Sequence, residues 1–315
     1  MWKLKMLVPV VLFPTVSALR RTPPDERVVY SRRTTAATEM EDFQNLNAFY
    51  SELDIARIRK QLKRIKVRFR QLGGNKSNLT TGNMSLPTGS MSAVRGAPQR
   101  CAIVASSQNV LNSRAREDID AVDGPVMRMN LAVTTGYEKF VGSRTEVLLV
   151  NDVALCWLLR YHLLPEPGVK QVMINGGRKV KRVCLNYLAK VFPQEDSFVV
   201  ENVGQTIRGI DKVLDLVAEN GPASLRRLTK PTHATSGLVG GLLLMNMCKE
   251  VLHYGFLQGG ACQEHYWEDT HNCSTDQNHL ITREHMLWKL ISTTRRTNFT
   301  GEGIVRGWPR LQTEG

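Results

Sequence analysis

Between residues 101 and 151 a short apolar run, a polar turn, a helical patch and a second apolar run follow in order, and this order restricts the fold more than any other stretch. Cys101, Ala102, Ile103 and Val104 read as a buried strand. Ser106, Ser107, Gln108 and Asn109 read as a polar turn. Residues 114–122 carry a helical pattern, and 126–129 read as a second strand that ends in Asn130. A buried strand feeding a polar turn and then a helix places hydroxyls, amides and backbone N–H groups at one edge of a sheet. At that edge open α/β sheets bind nucleotides and phosphates. Taken alone, these residues support only some α/β nucleotide-binding fold.

From about residue 99 onward apolar runs alternate with helical patterns. Strands are expected at 101–105, 126–129, 146–150, 171–174, 198–201 and 251–256. Helices are expected at 114–122, 181–191, 206–219, 237–249 and 279–292. Such alternation predicts a three-layer α/β sandwich with a mostly parallel sheet. Residues 165–168 and 220–231 are loops by composition, and no internal repeat is evident.

The first 99 residues have a different character. A basic start leads into an apolar run from Met6 to Leu19, followed by Arg20 and Arg21. That run of about 14 residues is shorter than the roughly 17–25 of a membrane-spanning helix. Residues 1–19 therefore read as a signal peptide, with a signal anchor as the alternative. Residues 20–99 read as a stem. Within it Ile55, Ile58, Leu62, Ile65, Phe69 and Leu72 step by threes and fours, a heptad-like seam on a helix expected over 39–72. Eight cations between Arg57 and Arg70 account for much of the net charge of +13, so the global charge says little about the domain. This helix could bind an acidic membrane surface or nucleic acid, pair with a second copy, or lie against the domain. Residues 73–99 read as a flexible linker carrying glycosylation patterns at Asn75, Asn78 and Asn83. Further patterns occur at Asn272 and Asn298.

Four motifs give the chain a family resemblance. Cys101–Val104, Arg116–Asp120 with Asp118 as one extra residue, Arg128–Asn130 and Gly136–Ser143 resemble the large motif of the eukaryotic-type sialyltransferases. Ala234-Thr235-Ser236-Gly237, an apolar helix to Cys248, and then Tyr254-Gly255-Phe256 resemble the small motif; Ala234 and Lys249 depart from its usual Pro and Asp. His265-Tyr266-Trp267-Glu268 resembles the third motif in the form of the β-galactoside α2,3 branch. His279 with Glu284 five residues later resembles the last.

The resemblance implies a Rossmann-like, GT-A-like α/β/α glycosyltransferase domain over 100–315, standing in the Golgi lumen. It implies transfer of sialic acid, or a related sugar acid, from a CMP-sugar to a terminal sugar hydroxyl, galactose being the expected acceptor. The transfer would invert the anomeric centre without a metal or other cofactor. By the same resemblance His279 is the base that takes the acceptor proton, a task suited to an imidazole titrating near neutrality. His265 contacts the donor phosphate, with Tyr266 as the fallback. Ser106, Asn109, Asn130, Thr235, Ser236 and Gly237 hold the donor. A disulfide between Cys101 and Cys248 is likewise implied.

Other readings stay open on the residues themselves. A helix N-cap explains Thr235 and Ser236 without any donor. Cys262, His265, His271 and Cys273 could surround zinc, although their spacing matches no zinc framework. Asp118-Ile119-Asp120 mimics a metal-binding Asp-x-Asp but falls in a helical stretch. Cys156 and Cys184 read as buried free thiols, and a second bridge between Cys262 and Cys273 stays open. An idle CMP- or glycan-binding relative is the alternative function. A basic coiled-coil nucleic-acid binder is another, disfavoured by the leader and the glycosylation patterns.

Overall fold

A computed structural model describes residues 48–65, 68–71, 100–112, 116–166, 168–176, 182–192, 197–201, 203–226, 234–256, 265–267, 281–294 and 303–307. The elements, in chain order, are α1 (Glu52–Arg64), β1 (Arg68–Gln71), β2 (Arg100–Val104), a 3₁₀ turn (Gln108–Asn112), α2 (Arg116–Asp120), β3 (Val126–Met129) and α3 (Glu138–Val141). There follow β4 (Val147–Asn151), α4 (Asp152–Arg160), β5 (Gln171–Asn175), α5 (Arg182–Val191), β6 (Ser197–Glu201), α6 (Val203–Asn220) and α7 (Ala223–Arg226). The chain continues through α8 (Ser236–Met247), β7 (Glu250–Tyr254), α9 (Ile281–Ile291), β8 (Ser292–Thr294) and β9 (Gly303–Arg306).

The strands form one sheet in the order β1-β6-β5-β4-β3-β2-β7-β9-β8. The six from β6 to β7 run parallel, and β1, β9 and β8 pair antiparallel at the two edges. Strands covered on both faces are buried along their whole length and read as largely apolar runs. Accordingly β3 is buried at all four positions, and β2 at every position after Arg100.

Alternate residues separate the two faces. Cys101, Ile103, Met127, Leu149 and Val251 pack into the core shared by α1, α6, α8 and α9. Ala102, Val104, Val126, Leu252 and Tyr254 face Ile119 of α2 and Val141 of α3, while Leu148, Val150, Val172 and Ile174 face α4 and α5. The result is the three-layer α/β sandwich expected from the alternation of runs. α8 is apolar all round because it is buried all round. Its Gly240 and Gly241 have no room for a side chain: a Cβ would stand 2.8 Å from Met127 Sδ and 2.6 Å from Trp288.

Two sequence expectations need correction. Residues 48–65 and 68–71, read as stem, pack with this domain. Ile58, Leu62 and Ile65 are buried in the core under α6 and α9, Tyr50 donates its hydroxyl to the Val217 carbonyl at 2.6 Å, and β1 extends the sheet. The seam is also not one helix: α1 stops at Arg64, Ile65 is extended, and Phe69 lies in a strand. The apolar stripe that a coiled coil with a second copy would need therefore faces its own domain. Arg59 donates to the Ile291 carbonyl at 3.0 Å, while Arg57, Lys60, Lys63 and Arg64 remain exposed. The second correction concerns Cys156 and Cys184, which are joined as a disulfide with Cα atoms 5.1 Å apart. Both helices lie on the same face of neighbouring strands, which brings two cysteines 28 residues apart into reach. Cys101 and Cys248 form the other bridge among the described residues.

Asn75, Asn78, Asn83, Asn272, Asn298, Cys262, His271, Cys273 and the leader lie outside the described residues. Among the described residues no helix is long and apolar enough to cross a membrane.

Candidate active site

β2 is followed by α2 on one face of the sheet, while Phe256, just after the adjacent β7, packs into the core on the other face with α8 and α9. Such a switch point opens a crevice at the carboxyl ends of the strands. The four motif segments converge on it. Gly255, at φ +81, turns the chain after β7, and a Cβ there would meet Ala105 Cβ at 3.0 Å. Gly237, in the first turn of α8, lies so close to Phe256 that a Cβ would meet the ring at 2.6 Å. Close approach therefore requires glycine at both positions. The bridge between Cys101 on β2 and Cys248 at the end of α8 fastens the first two motifs together.

The third motif docks on the same edge. Ser107 and His265 form an antiparallel bridge, and the Tyr266 N–H donates to the Ser106 carbonyl at 2.9 Å. His265 is half-buried, with its imidazole stacked on Trp267 at 4.6 Å between ring centroids. Tyr266 is buried. Its hydroxyl accepts from the Val133 N–H at 3.0 Å and donates to the Val133 carbonyl, while its ring packs edge-on against Tyr137 and Trp267. Tyr266, the fallback donor contact of the sequence reading, thus has its hydroxyl bonded to the chain itself. Its polar atom is occupied with the backbone three residues past Asn130, and it positions that segment.

Asn130 ends β3 with φ at 55°, in the left-handed region that asparagine tolerates better than most residues. Its Oδ1 accepts from the Asn151 N–H at 3.0 Å, which leaves the amide Nδ2 as the group it could offer a ligand. Asn151 in turn caps α4 by accepting from Ala154 at 2.7 Å. Beneath this turn Arg128 is fully buried and donates to the carbonyls of Val141, Gly142 and Arg144 and to Thr145 Oγ1. Burial lowers its pKa from the ordinary arginine value.

Thr235 is the N-cap of α8, accepting from Leu238 N–H on Oγ1. It is also held from the last motif: its N–H donates to Glu284 Oε1 at 2.9 Å and its hydroxyl donates to Oε2. Glu284, buried in the first turn of α9, therefore clamps the small motif to the last one. The sequence marked Glu284 only as a motif position; the His-x4-Glu spacing held no sign of this contact 49 residues away. With Leu238 and Val239 bonded back to Thr235, the amides of Ser236 and Gly237 lie outside the ladder of α8, at its positive end.

Ser106, Asn130, Thr235, Ser236, Gly237 and His265 thus belong to one edge. Asn109 sits in the 3₁₀ turn beyond Ser107, its side chain outside the described set. His279 lies outside the described residues, two positions before α9. Of the Asp-x-Asp mimic, Ile119 is buried and Asp120 accepts from Ser143 N–H at 2.9 Å and Arg144 N–H at 3.2 Å, so that carboxylate anchors the turn after α3.

Curated relatives resemble the chain over three fifths or more of its length. β-Galactoside α-2,6-sialyltransferase 2 of Rattus norvegicus is 27% identical over 225 residues, covering 65% of this chain and 41% of the relative. The Bos taurus protein of that name is 27% identical over 227 residues, covering 65% of this chain and 43% of the relative. A Homo sapiens protein named α-N-acetyl-neuraminyl-2,3-β-galactosyl-1,3-N-acetyl-galactosaminide α-2,6-sialyltransferase is 27% identical over 207 residues, covering 60% of this chain and 65% of the relative. The chain spans about two fifths of the length of the first two relatives. A solved mammalian sialyltransferase is similar with a TM-score of 0.39 and 17% identity, covering 87% of this chain and 84% of that one. A family profile matches residues 78–295, more than half of the chain, and the chain belongs to glycosyltransferase family 29 (sialyltransferase).

Proposed function

We propose that the protein transfers a sialic acid, or a related sugar acid, from its CMP-activated form to a terminal sugar hydroxyl of a glycan. The observation that carries this reading is the convergence of Ser106–Ser107, Thr235–Gly237 and His265–Trp267 on the crevice between β2 and β7. The Ser236 and Gly237 amides, the Ser106 hydroxyl, the Asn130 amide and the His265 imidazole supply donors suited to a nucleotide phosphate and an anionic sugar. In the proposed reaction His279 takes the proton from the acceptor hydroxyl as its oxygen attacks the anomeric carbon. The bond to the CMP phosphate oxygen breaks on the opposite side, so the centre inverts, and His265 stabilises the leaving phosphate. No metal is assigned to the reaction, and Asp120, in its bonds to Ser143 and Arg144, is a structural anchor in this scheme. Two disulfides fit an oxidising compartment, and we place the domain in the secretory lumen, as for a Golgi enzyme.

The test is CMP release and transfer by the full chain, with a panel of CMP-sugars and galactose-terminated acceptors, with and without chelator. Release that requires one sugar acid and one acceptor, persists in chelator and disappears in His279→Ala is the expected result. The linkage formed separates α2,3 from α2,6 transfer. A folded protein that binds CMP but turns over no donor would overturn the enzymatic reading in favour of an idle binding relative.

A further inference from the structure

Four large apolar side chains remain in water on the α4–α5 pair. Val153, Trp157 and Tyr161 are exposed by 53%, 43% and 46%, and Val183 by 56%. The first three recur at every fourth position along α4 and the residue that caps it, so they form one stripe. The Cys156–Cys184 bridge lies beside Trp157 on one helix and beside Val183 on the other, and it fixes the two helices to each other. The opposite side of the pair is anchored by Leu155, Leu158 and Leu188 in the core. The stripe is therefore a rigid surface. It also begins at the candidate active site: α4 starts at Asn151, whose N–H is held by Asn130.

We propose that this stripe is a secondary binding surface for the acceptor glycan, gripping sugars behind the one that receives the transferred residue. The inference rests on the transferase reading above. Aromatic ring faces offer the flat apolar contact that the C–H faces of pyranose rings require, and Trp157 and Tyr161 stand about 6 Å apart along the helix axis. A rigid aromatic makes such contact at low conformational cost. Arg160, placed over the Tyr161 ring at 5.5 Å, adds donors for sugar hydroxyls or carboxylates at the same end. Size argues for a glycan against a second copy. The four side chains expose roughly 300–400 Å², a functional patch for a monomer but well below the ~800 Å² per partner of a stable dimer.

The test compares the wild-type full chain with a Trp157→Ala/Tyr161→Ala double variant and, independently, Val153→Arg. Each is assayed with a galactose-terminated biantennary glycopeptide, with a galactose-terminated disaccharide, and for donor hydrolysis without acceptor. The expected result is a KM for the glycopeptide raised about tenfold, with disaccharide transfer, donor hydrolysis and the unfolding midpoint unchanged. An equal effect on both acceptors, or none on either, overturns the proposal. So does a wild-type dimer in sedimentation that the variants lose, which would assign the stripe to a second copy. If the wild type transfers to no acceptor, the transferase reading fails separately. Calorimetric titration of the glycopeptide then decides the surface: binding that the double variant loses supports it, and no binding overturns it.

Discussion

Glu284 and Thr235 illustrate how much of the site's order rests on single polar contacts. One buried carboxylate accepts both the N–H and the hydroxyl of the residue that caps α8. Glu284→Ala would leave two part-buried donors without their acceptor, which puts each at the lower end of the usual cost, about 1–2 kcal/mol. We expect it to lower stability by about 2–4 kcal/mol in urea unfolding and to raise the donor KM. Glu284→Gln, which keeps one acceptor oxygen, should recover part of both. A Glu284→Ala protein as stable as wild type would refute the clamp. A second buried group sets a pH dependence. His253, on β7, packs against Trp288 with ring centroids 4.2 Å apart and planes tilted by 41°, and burial lowers its pKa from 6.5 to about 3. Its Nε2 and the Trp288 Nε1 are buried without a hydrogen-bond partner. The folded pKa lies below the unfolded one, so the unfolded chain binds the proton first. Stability is then complete above the unfolded pKa and falls as pH drops toward the folded one, by about 2 kcal/mol between pH 7 and pH 5. Denaturant midpoints across that range should slope in wild type and flatten in His253→Gln; equal slopes would assign the effect to another group. The motifs made Thr235, Asn130 and Tyr266 legible as positions. They did not reveal that the Thr235 hydroxyl, the Asn130 carbonyl and the Tyr266 hydroxyl are bonded within the protein, because the partners lie 49, 21 and 133 residues away.

α1 shows the same limit for a whole element. Its start was written locally: Ser51 and Asp54 cap each other reciprocally, and acidic residues fill the first turn. Its apolar spacing was equally plain, but periodicity names a buried face and not the surface that covers it. That surface is α6 and α9 of the same chain, with Ile65 packed on Gly209. Leu62→Ala should therefore cost about 2–5 kcal/mol at any protein concentration, whereas a coiled-coil contact would show a concentration-dependent loss. Lys63→Ala, exposed on the other face, should be near neutral. α8 reads differently. An apolar helix with two central glycines has no preferred face in sequence, and the close approach of Met127 and Trp288 explains why both glycines are required.

At the scale of the whole molecule the two disulfides constrain unequal lengths of chain. Cys101–Cys248 spans 147 residues and joins the central strand to the end of the central helix; Cys156–Cys184 spans 28. Loop-closure entropy grows with loop length, so the first should contribute roughly 5 kcal/mol and the second about 3.5. Cys101→Ala/Cys248→Ala should lower the thermal midpoint more than Cys156→Ala/Cys184→Ala. The reverse order would mean that native strain or residual unfolded structure outweighs loop entropy.

Alone, the sequence determined the succession of buried strands and covering helices, because a parallel strand covered on both faces reads as a largely apolar run. It also determined which segments stand at strand ends, since turn residues and caps are local chemistry. Only the tertiary structure decided that α1 and β1 pack with the domain, that Cys156 meets Cys184, and that Glu284 holds Thr235. Each is a contact between segments far apart in the chain, set by which elements neighbour one another on the sheet, and local periodicity does not encode that neighbourhood.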